Sequence, residues 1–132
     1  MPGKVHFSID LRHDDADVIE RLGNMIPSVC EAARGRCKAV VSTLLYDAPL
    51  QFPEEMRSRI AKAAERLRIS HMRLQSPAGH DARYLHYFCP TGMIFIPCKD
   101  GISHNEAESV THADATAGAR ILAETAFELA NQ

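Results

Sequence analysis

The hydrophobic spacing of this chain changes period near residue 13, and that change constrains the fold more than any other feature. From Lys4 to Arg12, Val5, Phe7, Ile9 and Leu11 alternate with His6, Ser8, Asp10 and Arg12, the two-residue repeat of a strand with one dry face. Asp14, Asp15 and Asp17 then offer cap and first-turn carboxylates, after which Val18, Ile19, Leu22, Met25, Ile26 and Val29 recur at three- and four-residue steps, as a helix requires. Pro27 sits inside that pattern and has no amide hydrogen, so a kink, or a break between Asn24 and Pro27, is expected. Gly35 should end the helix.

The switch then repeats. Cys37 to Leu45 is rich in β-branched and apolar residues and reads as a second strand. Pro49 and Pro53 mark a boundary, and a helix is predicted after Pro53, with Met56, Ile60, Ala63, Ala64 and Leu67 as its apolar stripe. Arg57, Arg59, Lys62, Glu65 and Arg66 fall on the opposite side, most simply a solvated face. An extended piece, His71 to Gln75, leads into the turn-prone Ser76 to Asp81, where Asp81 would cap a brief helix over Ala82 to Phe88. Met93 to Ile96 suits a short buried strand, and a loop from Cys98 to Val110 leaves its end. Thr111 with Asp114 resembles a capping box ahead of a long alanine-rich helix. The predicted order is βαβ followed by αβαβα, an α/β chain whose polar loops leave strand ends, where chemistry tends to collect.

Composition narrows the function classes. The 132 residues carry 15 Lys+Arg against 17 Asp+Glu, with no basic run of the kind that binding a phosphate backbone needs, so nucleic acid is not expected. Apolar stretches are only a few residues long and the N-terminus lacks a signal-peptide order, so neither membrane nor export is expected. The cysteines at 30, 37, 89 and 98 form no Cys-x-x-Cys pair, and reduced, mostly buried thiols in the cytoplasm are the expectation. Seven histidines with no tryptophan is the unusual count, because imidazole serves both metals and proton transfer near neutral pH.

Three stretches could carry chemistry. His104 lies among Ser103, Asn105, Glu106 and Glu108; it is either a metal ligand oriented by neighbouring oxygens or a loop histidine near a helix start. In Gly79-His80-Asp81, glycine permits close backbone approach and His80 can donate to a carbonyl oxygen gaining charge, or the three simply build a turn. Arg12 can clamp a carboxylate bidentately, or pair with Asp10, Asp14 or a neighbouring element. His6, His13, His71, His86 and His112 show no partner pattern and read as surface or packing residues.

Together these stretches resemble one family. Val5-His6-Phe7-Ser8-Ile9-Asp10-Leu11-Arg12-His13, Ser76 to Ala82, and Cys89-Pro90-Thr91-Gly92-Met93-Ile94-Phe95-Ile96-Pro97-Cys98 running on into Gly101-Ile102-Ser103-His104-Asn105-Glu106-Ala107-Glu108 are similar, in order and spacing, to the C-terminal part of zinc-dependent hydantoinase/carbamoylase amidohydrolases. That group includes N-carbamoyl-L-amino-acid hydrolases, β-ureidopropionases and allantoate amidohydrolases. The resemblance implies that residues 1–50 are half of a ferredoxin-like lid and dimerisation domain, and residues 51–132 the closing α/β part of an aminopeptidase-like catalytic domain. It makes His104 a ligand in a two-metal site (zinc, with manganese, cobalt or nickel as alternatives). His80 and the backbone of Gly79 become contacts to the carbamoyl oxygen, and Arg12 the clamp on the substrate carboxylate.

The reaction implied is hydrolysis of a carbamoyl C–N bond in N-carbamoyl-L-amino acids, with allantoate as the alternative substrate. The family's His-x-Asp ligands, its Glu-Glu pair and a further His would lie ahead of this sequence, so the chain is expected to be a fragment, inactive alone and weak in metal binding. The other reading is a non-catalytic association module. A homodimer through the lid is expected, and a half-lid alone would expose a strand edge and apolar faces.

Overall fold

Asp15 begins the first helix: its side chain accepts from the amides of Asp17 and Val18, at 2.9 and 3.4 Å, supplying acceptors that the first turn otherwise lacks. The helix α1 runs over Ala16–Ala33 in this computed structural model, which describes residues 3–131. It passes through Pro27 without a break, contrary to one of the two expected outcomes. A proline there removes one donor, which would have gone to the Gly23 carbonyl, and glycine presents the ring with no side chain of its own. Arg34 caps the end and Gly35 follows at φ 57°, a left-handed turn that glycine adopts without steric cost.

The chain divides into two compact units. One runs to Leu50 and takes in Gln75–Pro77; the other holds Gln51–Leu74 and Ala78–Gln132. In the first, α1 is the regular element and no described residue is buried. Val5, Phe7, Leu22, Met25, Val29, Val40 and Leu44 are all exposed. The alternating residues 4–12 and the β-branched, apolar residues 37–45 form no ladder, and the other expected strands, at 71–75 and 93–96, form none either. Among the described residues the regular structure is helical. Alternation selects a face, but a strand exists only where a neighbouring backbone accepts its amides, and these segments have no paired neighbour.

The second unit has the core. Helix α2 (Glu54–Arg66) begins after Pro53 with Glu54 and Glu55 in its first turn. It ends in a double closure: Arg68, at φ 57°, donates to the Glu65 carbonyl and Ile69 to that of Ala64, both at 2.9 Å. This is the Schellman arrangement with arginine where glycine is usual. Helix α4 (His112–Ala130) starts at Thr111, whose hydroxyl accepts from the Asp114 amide at 3.1 Å and donates to its carboxylate at 2.6 Å. The two helices pack through Ala63, Ala64 and Ile121, which are buried, with Ile60, Leu67, Ile69 and Ile94 around them. Buried Thr125 satisfies its hydroxyl on the Ile121 carbonyl at 2.8 Å.

The charged side of α2 is not simply solvated. Arg59 reaches Glu128 at 3.0 Å, and Arg66 reaches Glu124 at 3.1 Å and Glu128 at 2.6 Å. These guanidiniums therefore bridge α2 to α4. Arg66, then Arg59, hold the Glu128 carboxyl below its ordinary range. All four cysteines are free thiols, but they are not mostly buried as expected: Cys30 and Cys98 are half-buried, Cys37 and Cys89 exposed. Cys37 and Cys89 lie on segments whose apolar residues, Val40 and Phe88 among them, are themselves exposed, so no core is there to cover them.

Candidate active site

Arg12 is held by its own segment. Its Nε and Nη2 donate side-on to the Asp10 carboxylate at 3.0 and 2.6 Å, and Nη1 donates to the Pro77 carbonyl at 2.8 Å. The Asp10 pairing is one of the alternatives open from sequence. A guanidinium has five N–H groups, so after these three bonds one hydrogen on each Nη is left for a further acceptor. The Arg12 hydrogen bond holds Asp10 below the usual carboxylate range.

Gly79 and His80 lead into helix α3 (Asp81–Leu85). His80 is the capping residue, extended at φ −138° and ψ 152°, and Asp81 is the first helical residue. The expectation that Asp81 caps this helix is therefore corrected: the turn completes one residue earlier, and Arg83 donates to the His80 carbonyl at 2.9 Å. A Cβ on Gly79 would meet nothing within 4 Å, so open space lies beside that backbone. The His80 ring packs edge-on against Phe95, with centroids 5.5 Å apart. Phe95 belongs to the segment that runs into Cys98, where the His104 loop begins.

That loop is closed at its neck by the Lys99 amide donating to the Ser109 carbonyl at 2.8 Å. Lys99–Gly101 form a single 3₁₀ turn at its start. Halfway round, His104 takes φ 56°, a left-handed conformation that side chains other than glycine seldom adopt. Its amide donates to Glu108 Oε2 at 2.9 Å, and its Nδ1 lies 3.1 Å from Ser103 Oγ. In the tautomer that donates from Nδ1 to serine, Nε2 keeps the lone pair a metal needs. The donor set fits one coordination position and no more: no group of three or more His, Cys, Asp and Glu side chains able to hold a metal occurs among the described residues. A structural or catalytic zinc takes at least three protein ligands.

Sequence reasoning missed Glu108, which it grouped with its neighbours. Only the loop's return brings that carboxylate under His104, and a turn of this kind has no signature stronger than Asn105, whose Oδ1 accepts from the Ala107 amide at 2.9 Å. Among the remaining histidines, His86 packs edge-on against Phe52 and its Nδ1 is buried without a hydrogen-bond partner.

Comparison with known proteins bears on the chain as a whole. Residues 5–128 match the model of the peptidase family M20/M25/M40. The N-carbamoyl-L-amino-acid amidohydrolase of Rhizobium meliloti is 37% identical over 98% of this chain and 32% of its own length. The allantoate amidohydrolase of Escherichia coli (strain K12) is 33% identical over 100% of the chain and 33% of its own length. The chain thus spans about a third of the relatives it matches. An amidase of the hydantoinase/carbamoylase family from Burkholderia vietnamiensis superposes with a TM-score of 0.74 at 35% identity, covering 86% of this chain and 28% of that one. A second Burkholderia structure, from B. cenocepacia, gives 0.80 over 91% of the chain. The four helices hold fewer than half the residues, so that agreement extends to the stretches without a ladder. With the family model matched over nearly the whole sequence, the chain belongs to the peptidase family M20/M25/M40, among its hydantoinase/carbamoylase relatives.

Proposed function

We propose that this chain serves, as part of a longer enzyme, in metal-dependent hydrolysis of the carbamoyl C–N bond of N-carbamoyl-L-amino acids. The observation that carries the reading is the His104 loop, which holds an imidazole on a left-handed residue with Nδ1 against Ser103, leaving Nε2 as the nitrogen to face a metal. Members of this family are generally metal-dependent. His104 would hold one of two divalent ions through Nε2, the other ligands lying outside the described residues. When bound, such ions lower the pKa of water and polarise the scissile carbonyl.

The chain's own residues do the rest of what is assigned to it. His80, at the start of α3, donates a hydrogen bond from a ring N–H to the carbamoyl oxygen as charge develops there, with the Gly79 backbone approaching from the open side. Phe95 keeps that imidazole from rotating away. Arg12, steadied by Asp10 and the Pro77 carbonyl, offers its two remaining Nη hydrogens to the substrate carboxylate. The names of the relatives support carbamoyl substrates first and allantoate second. A reducing compartment, the cytoplasm, accommodates the four free thiols, and no helix among the described residues is long and apolar enough to cross a membrane. The enzyme is proposed to be a homodimer, joined through the unit that carries the exposed Val5, Phe7, Met25 and Val29.

The test is a panel of N-carbamoyl-L-amino acids and allantoate against the full-length protein that carries this chain. His104→Ala should abolish turnover and lower bound metal. His80→Ala should lower kcat by about 10²–10³-fold, the loss of one oxyanion donor, while Arg12→Lys raises KM because a lysine cannot form the bidentate contact. Full activity in His104→Ala would overturn the assignment.

A further inference from the structure

We propose that Glu108 is the positioning residue of His104, fixing the backbone from which that imidazole is presented. Three observations converge on this residue. Its Oε2 accepts the His104 amide at 2.9 Å, at a residue whose φ of 56° an L side chain seldom adopts unaided. Its Oε1 lies 3.8 Å from the Cys98 thiol, at the first residue of the loop. Its own amide donates to the Asn105 carbonyl at 3.0 Å. One side chain therefore ties the loop's start to its midpoint, and one amide closes the turn between them.

The chemistry suits the task. An ionised carboxylate is acceptor only, and a charge-assisted N–H bond is stronger and shorter than a neutral one. Relaxing His104 to negative φ would redirect both its amide and its Cα–Cβ bond, so the bond that holds the amide also aims the ring. The Ser103 contact acts on the ring itself and sets its tautomer; Glu108 acts one step earlier, on where the ring starts. The consequence for metal binding rests on His104 being a ligand, whereas the consequence for the loop does not.

Glutamine keeps an oxygen acceptor of the same reach and alanine does not, so the pair separates positioning from general damage. In the 132-residue chain, Glu108→Ala should raise the hydrogen-exchange rate of the His104 amide by about tenfold or more and erase the strong intraresidue amide-to-Hα NOE that marks positive φ. Glu108→Gln should restore both. In the full-length protein, Glu108→Ala should weaken Zn²⁺ binding by about 10–100-fold, the usual cost of removing a group that orients a ligand, with Glu108→Gln close to the parent. Unchanged exchange and NOE in Glu108→Ala, or a glutamine variant as impaired as the alanine one, would overturn the proposal. Exchange that rises in alanine and recovers in glutamine, with zinc affinity untouched, would support the positioning role and sink the ligand reading of His104.

Discussion

At the scale of single residues, charge pairs on the surface decide less than their lengths suggest. Glu54 receives Arg73 at 2.9 Å and Ser58 at 2.9 Å, and its carboxyl falls from its ordinary 4.5 to about 2, first through the Arg73 bond and then through Ser58. A depressed folded value stabilises above the unfolded pKa and is lost as pH falls through the folded one. The Glu54 contribution should therefore be complete above about 4.5 and gone below about 2. Both partners are more than half exposed, at 59% and 57%, so screening keeps its effect on stability small. We expect Arg73→Ala to move the Glu54 titration, followed by carboxyl ¹³C shifts, back toward 4.5 while Tm barely changes. A wild-type midpoint already at 4.5 would refute the pairing. His80, His104 and Arg12 stood out in the sequence as residue types able to serve an oxyanion, a metal and a carboxylate, and their roles are those proposed above. The Asp10 clasp on Arg12 was one of several open pairings, and the Glu108 contact was not legible, because it depends on a backbone angle that spacing does not encode.

At the scale of elements, the tightest approach is between α4 and the segment before the loop. A Cβ on Gly118 would stand 2.5 Å from Ile96 Cγ2, whereas one on Gly92 would meet Ile60 Cδ1 and Met56 Cγ at 2.8 Å. Alanine normally favours a helix over glycine by roughly 1 kcal/mol. Here the branched Ile96 methyl cannot swing clear, so Gly118→Ala should destabilise by about 1–3 kcal/mol, read from urea midpoints. Gly92→Ala faces the ends of longer side chains that can move, and should cost less. The opposite ranking would mean that Ile96 has room to retreat. The same helix carries Glu124 and Glu128, the acidic half of the bridge to α2. The Glu128 carboxyl is held low by Arg66 and Arg59, so that part of the bridge should persist above the unfolded carboxylate range and weaken as pH falls through the lowered value. The three long helices were legible in periodicity and caps, down to Thr111 and Gly35, whereas α3 was expected at the right place with its cap one residue late. The strands were legible only as patterns, since a ladder needs a neighbour that spacing within one segment cannot supply.

At the scale of the molecule, the two units differ in how much they bury. The second has a small core under α2 and α4; the first has none among its described residues. Bare apolar positions such as Phe7, Val40 and Leu44, each more than three-quarters exposed, favour association. Sedimentation of the 132-residue chain should show concentration-dependent oligomers, and a clean monomer would count against the shared surface. With His104 the one imidazole proposed as a ligand and no cluster of donors among the described residues, the chain alone should neither retain zinc stoichiometrically through dialysis nor hydrolyse N-carbamoyl amino acids. Turnover by the isolated chain would refute both. The bond that pinches residues 99 and 109 together at 2.8 Å has a further meaning for how such a protein can change. A loop tied at its base is a cassette: its positions other than His104 and Glu108 can be rewritten or exchanged with those of a relative while α4 and the segment before the loop keep their places. Variation in reactivity can thus accumulate there without being transmitted to the scaffold.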